Sequence, residues 1–527
     1  MSPGLTSLSC FASRKIRFAF SRRWSIFDYN LEKHAMALTR YGELRNELMR
    51  RSFPNTFAPV VLRDADSNYV PIPVSERLVQ CIWYDQRVNS GSLRTTDGRA
   101  VRVVFQGWWN LEAGPDFRHA TLQIGDEPEH TGDIEIHLRA EDWDHHGHEH
   151  DRHFNDVILH VVLWEARSQH VPRTRAGQII PQIVIQHQLD SPLEQLYDEL
   201  DLDSYPHNVG NHHGQCSHVL HALPPESLAA LLDTAGEERF AAKVRRFLRW
   251  IHRVGPEQAF YEGWMEALGY KANKAAFRLL AQRVPVSDIN DHRSHLGPIL
   301  FGVANFLPTG APTARNTAAA AHVRRLWNAW WKLRPDREDR ILPAGAWRFP
   351  GVRPANHPHR RLGAAVALLK KHPKLMEKVV GAVESGGDPA TFFSEIRDDY
   401  WSRHFTLGGK TQSRASELIG LDRAREIVAN IALPFVAAYA ESNGDAKLYE
   451  AAKTGYSRLP AAPSNSILRL AASQLFDNAP LARRATKTTR QQQGLMQVFH
   501  DFCVNDKSGC RHCQFPDLVS RWASVSK

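Results

Sequence analysis

Residues 115–138 read PDFRHATLQIGDEPEHTGDIEIHL, two β-rich stretches joined by a polar turn. In DIEIHL (133–138) successive side chains alternate between the faces of an extended strand. Asp133, Glu135 and His137 share one face, and Ile134, Ile136 and Leu138 share the other. The apolar triplet is expected to seek a core, leaving a carboxylate and an imidazole together on the open face. ATLQI (120–124) also alternates, and GDEPEHT between the two stretches predicts a hairpin. Asp116, in a Gly-Pro turn before ATLQI, then lies near the start of one strand with Glu135 inside its neighbour. Two carboxylates at one point suit a hard divalent cation.

Working outward, SERLVQCIWYDQRV (75–88) has apolar residues at helical spacing, with Ser75 as an N-cap. AVRVVFQG (100–107), VILHVVLW (157–164) and QIIPQIVIQ (178–186) are strand signals, the last pushed to a sheet edge by Pro181. Residues 70–190 therefore read as a mixed α/β domain, and 191–220 as a linker. Beyond 220 the texture changes to alanine-rich helical patterns punctuated by Pro and Gly, giving an α-helical domain over 221–498. A short Cys/His-rich motif, 499–516, follows. The fold class expected is α+β.

The order helix, three strands, helix, strand between 75 and 164, with an acid opening the second strand and an acid-x-base triplet on the third, resembles the PD-(D/E)XK nuclease superfamily, whose core is restriction-endonuclease-like. The resemblance implies that Asp116 and Glu135 hold Mg²⁺ or Mn²⁺, which activates water and neutralises charge on a phosphodiester. Ile136 is the intervening residue, and Glu76 stands where some members carry an auxiliary acid. His137 occupies the position of the usual Lys. An imidazole can act as base or ligand there but cannot supply a fixed positive charge.

The chain holds 27 histidines, and His137, His145, His146, His148, His150, His153 and His160 crowd one short stretch. Asp142 and His146 are four apart, as are His146 and His150, and His148 and Asp151 are three apart, so each pair would share a helical face. His146, His148 and Asp151 are expected to add acid–base or metal-binding groups beside Glu135. His160, alone in an apolar strand, reads as a hydrogen-bonded core histidine.

HDFCVNDKSGCRHCQFP (500–516) sets His500, Cys503, Cys510 and Cys513 at a spacing that suits a small structural zinc site, with His512 as a spare nitrogen. An iron–sulfur cluster would ask for four cysteines where three are nearby, and unliganded thiols are the remaining reading. Six cysteines in all are too few and too scattered for a disulfide framework, which points to a reducing cytoplasm. No run of 18 apolar residues spans a membrane. Residues 1–40 are basic with few acids and read as an extension outside the fold, with Met36 as an alternative start.

The net charge of +9 tilts the chain toward polyanions such as DNA or RNA. AAKVRRFLRWIHRV (241–254) and WRFPGVRPANHPHRR (347–361) supply basic patches that either position a phosphate backbone or form solvated faces. Seven ordered blocks, among them NLEAGPDFRHATLQI, ALGYKANKAAFRLLAQRVP and RFPGVRPANHPHRRL, are similar to the bacterial family called domain of unknown function 2851 over roughly residues 70–515. That resemblance implies a two-part architecture and no reaction. The function expected from the residues is a divalent-metal-dependent phosphodiesterase acting on nucleic acid. Two alternatives stay open: a non-catalytic nucleic-acid- or protein-binding scaffold with a degenerate nuclease core, and a histidine-cluster metal hydrolase of small substrates.

Overall fold

Ser75 opens the first helix of the sheet region by accepting a hydrogen bond from the Leu78 amide, and helix Glu76–Tyr84 buries Leu78, Val79, Ile82 and Trp83. Those side chains meet the apolar face of a mixed sheet, where Phe117, Ile134, Ile136, Leu138, Leu159, Val161 and Leu163 complete one core. The computed structural model describes residues 39–52, 72, 74–166, 170–200, 202, 205–206, 216–310, 318–476, 479–504, 510 and 513–525. Almost all of the 1–40 extension, together with His512, lies outside the described residues.

The strands are β1 (Val101–Phe105), β2 (Trp108–Trp109), β3 (Phe117–Ile124), β4 (His130–Arg139), β5 (Val157–Trp164) and β6 (Gln182–Val184). Their order is β1-β3-β4-β5-β6, with β2 paired to β3. The β3–β4 hairpin is antiparallel, as is β1 with β3, whereas β4/β5 and β5/β6 are parallel. Pro181 precedes β6 on the sheet edge, and its carbonyl accepts from the His160 amide. Gly132 is required where β4 enters the sheet, because a Cβ there would sit 2.7 Å from the Asp156 carbonyl.

One expectation is corrected here. The polar face of β4 is not open: Glu135 and His137 are 4% and 1% exposed. The connection from β4 to β5 covers them with a short helix, Asp142–His145, and two single 3₁₀ turns, His148–His150 and Arg152–Phe154. Trp143 and Phe154 from this cover pack with Val157 and Ile180 as a small second core.

Residues Leu38–Lys527 form one compact unit. The helical part begins with Pro225–Val254 and continues through helices such as Pro256–Leu268, Pro358–Lys371 and Leu433–Ser442 to Thr489–Phe499, confirming the α+β class. Helices Pro225–Val254 and Thr489–Phe499 cross at Gly236 and Gly494, where a Cβ on either would run into the backbone of Arg490 or Leu232. Within the stretch read as a linker, helix Leu193–Glu199 carries Asp198, whose carboxylate accepts from Arg249 Nη2 at 2.7 Å and Trp250 Nε1 at 3.0 Å. The Asp198 carbonyl accepts from Arg246 and Arg278. This buried acid fastens the sheet region to the first long helix of the helical part.

The same contacts resolve the basic helix. Arg245 pairs with Glu238, Arg246 with Glu266 and Arg249 with Asp198, while Lys243 donates to Asn430 and Gln493. Arg360 and Arg361 are buried and donate to backbone carbonyls, including those of Ser416, Glu417 and Leu418. Six of these cations, Lys243, Arg245, Arg246, Arg249, Arg360 and Arg361, are therefore engaged inside the chain, while Arg253, Arg348 and Arg353 stay exposed.

Candidate metal centre

The break between β3 and β4 builds the site. Their register shifts between Phe117 and Ala120, and beyond it the Asp116 side chain takes over from a strand. The Asp116 amide donates to Glu135 Oε2 at 3.0 Å, and the Ile136 amide donates to Asp116 Oδ2 at 3.1 Å. Gln80 Nε2, from helix Glu76–Tyr84, donates to Asp116 Oδ1 at 3.1 Å. Asp116 and Glu135 thus meet as the sequence suggests. Each Asp116 oxygen already accepts a hydrogen bond, and the brace turns Glu135 Oε1 the other way, toward the histidines.

There three imidazoles gather. His137 Nε2 lies 3.1 Å from His146 Nδ1 and 3.3 Å from His148 Nε2. Glu135 Oε1 lies 3.5 Å from His137 Nε2 and 3.4 Å from His148 Nε2. Among the described residues, His137, His146 and His148 are a group of imidazole donors whose nitrogen atoms all fall within 4.8 Å of one another, a candidate ligand set for a metal ion. Stacking on Phe154, with ring centroids 3.8 Å apart, holds the His148 ring, and His146 is the exposed member at the mouth.

A relay beneath fixes His137. Gln182 Oε1 accepts from His160 Nδ1 at 3.2 Å, so His160 Nε2 carries the lone pair. That nitrogen accepts from His137 Nδ1 at 2.8 Å, so the lone pair of His137 is on Nε2, facing the cluster. Burial draws the His160 pKa down to about 3, keeping the ring neutral and the relay in one sense. His160 is thus the bonded core histidine the sequence suggests, with a directional role added by Gln182.

Asp151 is not brought into this group. Its carboxylate caps the Arg152–Phe154 turn, accepting from the His153 amide at 2.9 Å and facing His153 Nδ1 at 2.7 Å. The His153 amide holds its carboxyl below the usual range. His145 lies 3.6 Å from Asp142, and the exposed His150 lies 3.3 Å from Glu149. At the rim, the loop before Asp116 runs between Arg118 and His153: a Cβ on Gly114 would lie 3.1 Å from Arg118 Nη2 and 3.9 Å from His153 Cβ. Gln80 and Gln182 escaped the sequence reading, although Gln80 stands one helical turn after Glu76.

At the other end of the chain, Cys503 lies in a π-helical turn, His500–Val504, that continues helix Thr489–Phe499. His500 Nδ1 faces Asp501 Oδ1 at 3.7 Å. Asp501 is buried and would be pushed up by it, but Arg45, His500 and Tyr41 together hold its carboxyl well below the usual range. Cys513 Sγ donates to the Phe502 carbonyl at 3.9 Å. A fourth thiol, Cys216, joins this region from the linker. Burial pushes its pKa up to about 12, and Cys513 and Cys510 add to the rise.

Comparison with known proteins decides the family and no more. Residues 76–465 match the family described as protein of unknown function (DUF2851). The chain belongs to that family. No curated protein and no solved structure matches it. The matched span of this DUF2851 member contains the whole metal-centre candidate and most of the helical part. No helix among its described residues is long and apolar enough to cross a membrane.

Proposed function

We propose that this DUF2851 protein is a hydrolase dependent on a divalent first-row metal, acting on phosphodiesters of nucleic acid. One observation carries the reading. Ligands about 2.0–2.1 Å from a tetrahedral ion stand about 3.3–3.4 Å from one another. His137 Nε2 stands 3.1 Å from His146 and 3.3 Å from His148, and Glu135 Oε1 stands 3.4–3.5 Å from His148 and His137, close to the edges of such a shell, with the three imidazole donors all within 4.8 Å of one another. Electron-pair donors aimed at one point also need positive charge between them, from ring protons or from a cation.

Imidazole donors favour zinc or iron over magnesium, and the carboxylate of Glu135 also suits manganese. In this reading Glu135 and the three histidines are ligands, and Asp116 is a positioning residue that aims Glu135. Such an ion would supply Lewis acidity and, by expanding to a fifth position beyond its four protein donors, a bound water of lowered pKa. The residues of the chain do the rest. The His160–Gln182 relay directs the His137 Nε2 lone pair to the cluster, Trp143 and Phe154 cover the site from behind, and Arg118 places a cation at the rim where a phosphate would approach. The phosphodiester class rests on the sequence resemblance to the nuclease core, and the helix, the antiparallel hairpin and the parallel return strand are compatible with that order of elements.

The test is cleavage of labelled single-stranded, duplex and branched DNA and RNA with Mn²⁺, Zn²⁺ and Mg²⁺, comparing wild type with Glu135→Ala and His148→Ala. Cleavage by wild type alone, strongest with Mn²⁺ or Zn²⁺, is the expected result. Equal cleavage by all three proteins refutes the assignment. Metal binding that depends on these residues without nucleic-acid cleavage would move the reading to a small-substrate hydrolase.

A further inference from the structure

Three of the six cysteines in this chain, Cys216, Cys503 and Cys513, pack against one apolar cluster, although Cys216 lies far from the others in sequence. Cys216 is the N-cap of helix Ser217–His221, which packs on helix Phe515–Val525. Cys513 lies two residues before that second helix, and its sulfur rests on the Phe502 carbonyl, immediately before Cys503. The rings of Phe502 and Phe515 meet with centroids 5.3 Å apart. Cys216, Cys503 and Cys513 are all half-buried against the apolar cluster formed by Leu220, Phe499, Phe502, Phe515 and Leu518. Cys510 is exposed at the edge, near enough to act on Cys216 electrostatically.

We infer that Cys216, Cys503, Cys510 and Cys513 form a tetrathiolate centre for a thiophilic metal, with Cys216 as the fourth ligand. Four thiols at an apolar boundary gain little from one another as neutral groups, and as thiolates they repel. A soft cation removes the repulsion and matches sulfur donors. The Cys510-x2-Cys513 pair has chelating sequence spacing, while Cys216 and Cys503 arrive singly from a helix cap and a π-helical turn. Both a zinc ion and an iron–sulfur cluster use this donor chemistry. Either one ties the junction between the sheet region and the helical part to the C-terminal helix, a structural role separate from the histidine centre. His500, the fourth ligand suggested by sequence spacing, faces Asp501 with Nδ1 and is the competitor of Cys216 for the fourth position.

The deciding experiment purifies the full chain without air in a His146→Ala/His148→Ala background, so that the histidine centre contributes no metal. Zinc, iron and acid-labile sulfide are then measured with and without Cys216→Ser, Cys510→Ser, Cys81→Ser or His500→Ala. About one zinc per chain identifies the single ion, and about four irons with matching sulfide identify a cluster. In either arm Cys216→Ser and Cys510→Ser lose most of the metal, while Cys81→Ser and His500→Ala keep it. Cys510 is exposed, so its substitution tests ligation without disturbing the core. Cobalt added to the metal-stripped chain should give a thiolate charge-transfer band that weakens in Cys216→Ser. A chain without stoichiometric metal, or one whose metal survives Cys216→Ser and is lost in His500→Ala, overturns the inference.

Discussion

His137 Nδ1 lies 2.8 Å from His160 Nε2, and this one hydrogen bond decides which nitrogen of His137 faces the other histidines. The sense of the bond is set one residue further back, where Gln182 Oε1 can only accept. Removing the acceptor frees His160 to flip its proton, and His137 Nε2 is then protonated in a share of molecules. Gln182→Leu should therefore weaken metal binding about 10–100-fold, the usual cost of losing an outer partner of a ligating histidine. His137→Ala should abolish it. Competition with a chromophoric chelator measures both, and unchanged affinity in Gln182→Leu would sink the relay.

Asp116 offers a sharper test, because its two oxygens have separate tasks. Oδ2 accepts from the Ile136 amide and Oδ1 from Gln80 Nε2 in a site that is 3% exposed. Asp116→Asn has one acceptor oxygen for the Ile136 amide and one NH₂ toward Gln80, so the Gln80 amide must either flip or be left facing a donor. The expected loss is about 1–3 kcal/mol, the range for leaving a buried polar group unsatisfied. Glu135→Gln keeps the oxygen that accepts from the Asp116 amide and should cost less stability while removing metal affinity. Urea unfolding of the two variants checks the order, and equal stability loss would mean that Asp116 does not act as the brace.

Acid should loosen the helical part at a named histidine. His359 Nδ1 accepts from the Leu407 amide at 3.0 Å, its ring packs on Phe306, and burial together with His357 draws its pKa down to about 3. The folded chain resists the proton, whereas the unfolded chain takes it up near the ordinary value of about 6.5. Stability is thus fully present above that pH and falls as pH drops from 6.5 toward 3, by at most about 1.4 kcal/mol per unit from this group. Asparagine at 359 retains an acceptor oxygen for Leu407 and does not titrate. Urea midpoints between pH 7.5 and 5 should fall less steeply in His359→Asn than in wild type, and parallel curves would exclude His359 as a source of acid sensitivity.

What the sequence made legible follows the range of each signal. The alternation in DIEIHL spans only neighbouring residues, and it correctly separated Glu135 and His137 from Ile134 and Ile136. The Gly-Pro turn likewise placed Asp116 beside Glu135. The cover over that face was illegible, because Asp142–Phe154 consists of single turns too short to show a period, with Trp143 and Phe154 its main apolar signals. The parallel register that sets His160 opposite Gln182 joins two strands through an irregular loop, which no local pattern records. Cys216 belongs to the same class of long-range partners. The basic helix shows the same limit of range: Arg246 and Arg249 pair with Glu266 and Asp198, which lie outside that helix.

Asp198 carries the last prediction, because it joins parts that the sequence suggests as separate domains. Its carboxylate is 2% exposed and meets Arg249, itself 10% exposed, and the Trp250 indole N–H. Alanine at this position leaves a nearly buried guanidinium without its counter-charge and an indole donor without an acceptor. Breaking a buried pair from one side costs about 3–5 kcal/mol. Asp198→Asn keeps an acceptor for Trp250 and loses only the charge, so it should fall between wild type and Asp198→Ala. If Asp198 fastens the sheet region to the helical part, the alanine variant should also expose the junction to limited proteolysis near helix Leu193–Glu199 while the helical part stays intact. A loss below about 1 kcal/mol with an unchanged digestion pattern would show that other contacts hold the two parts together, and that this ion pair is replaceable by water.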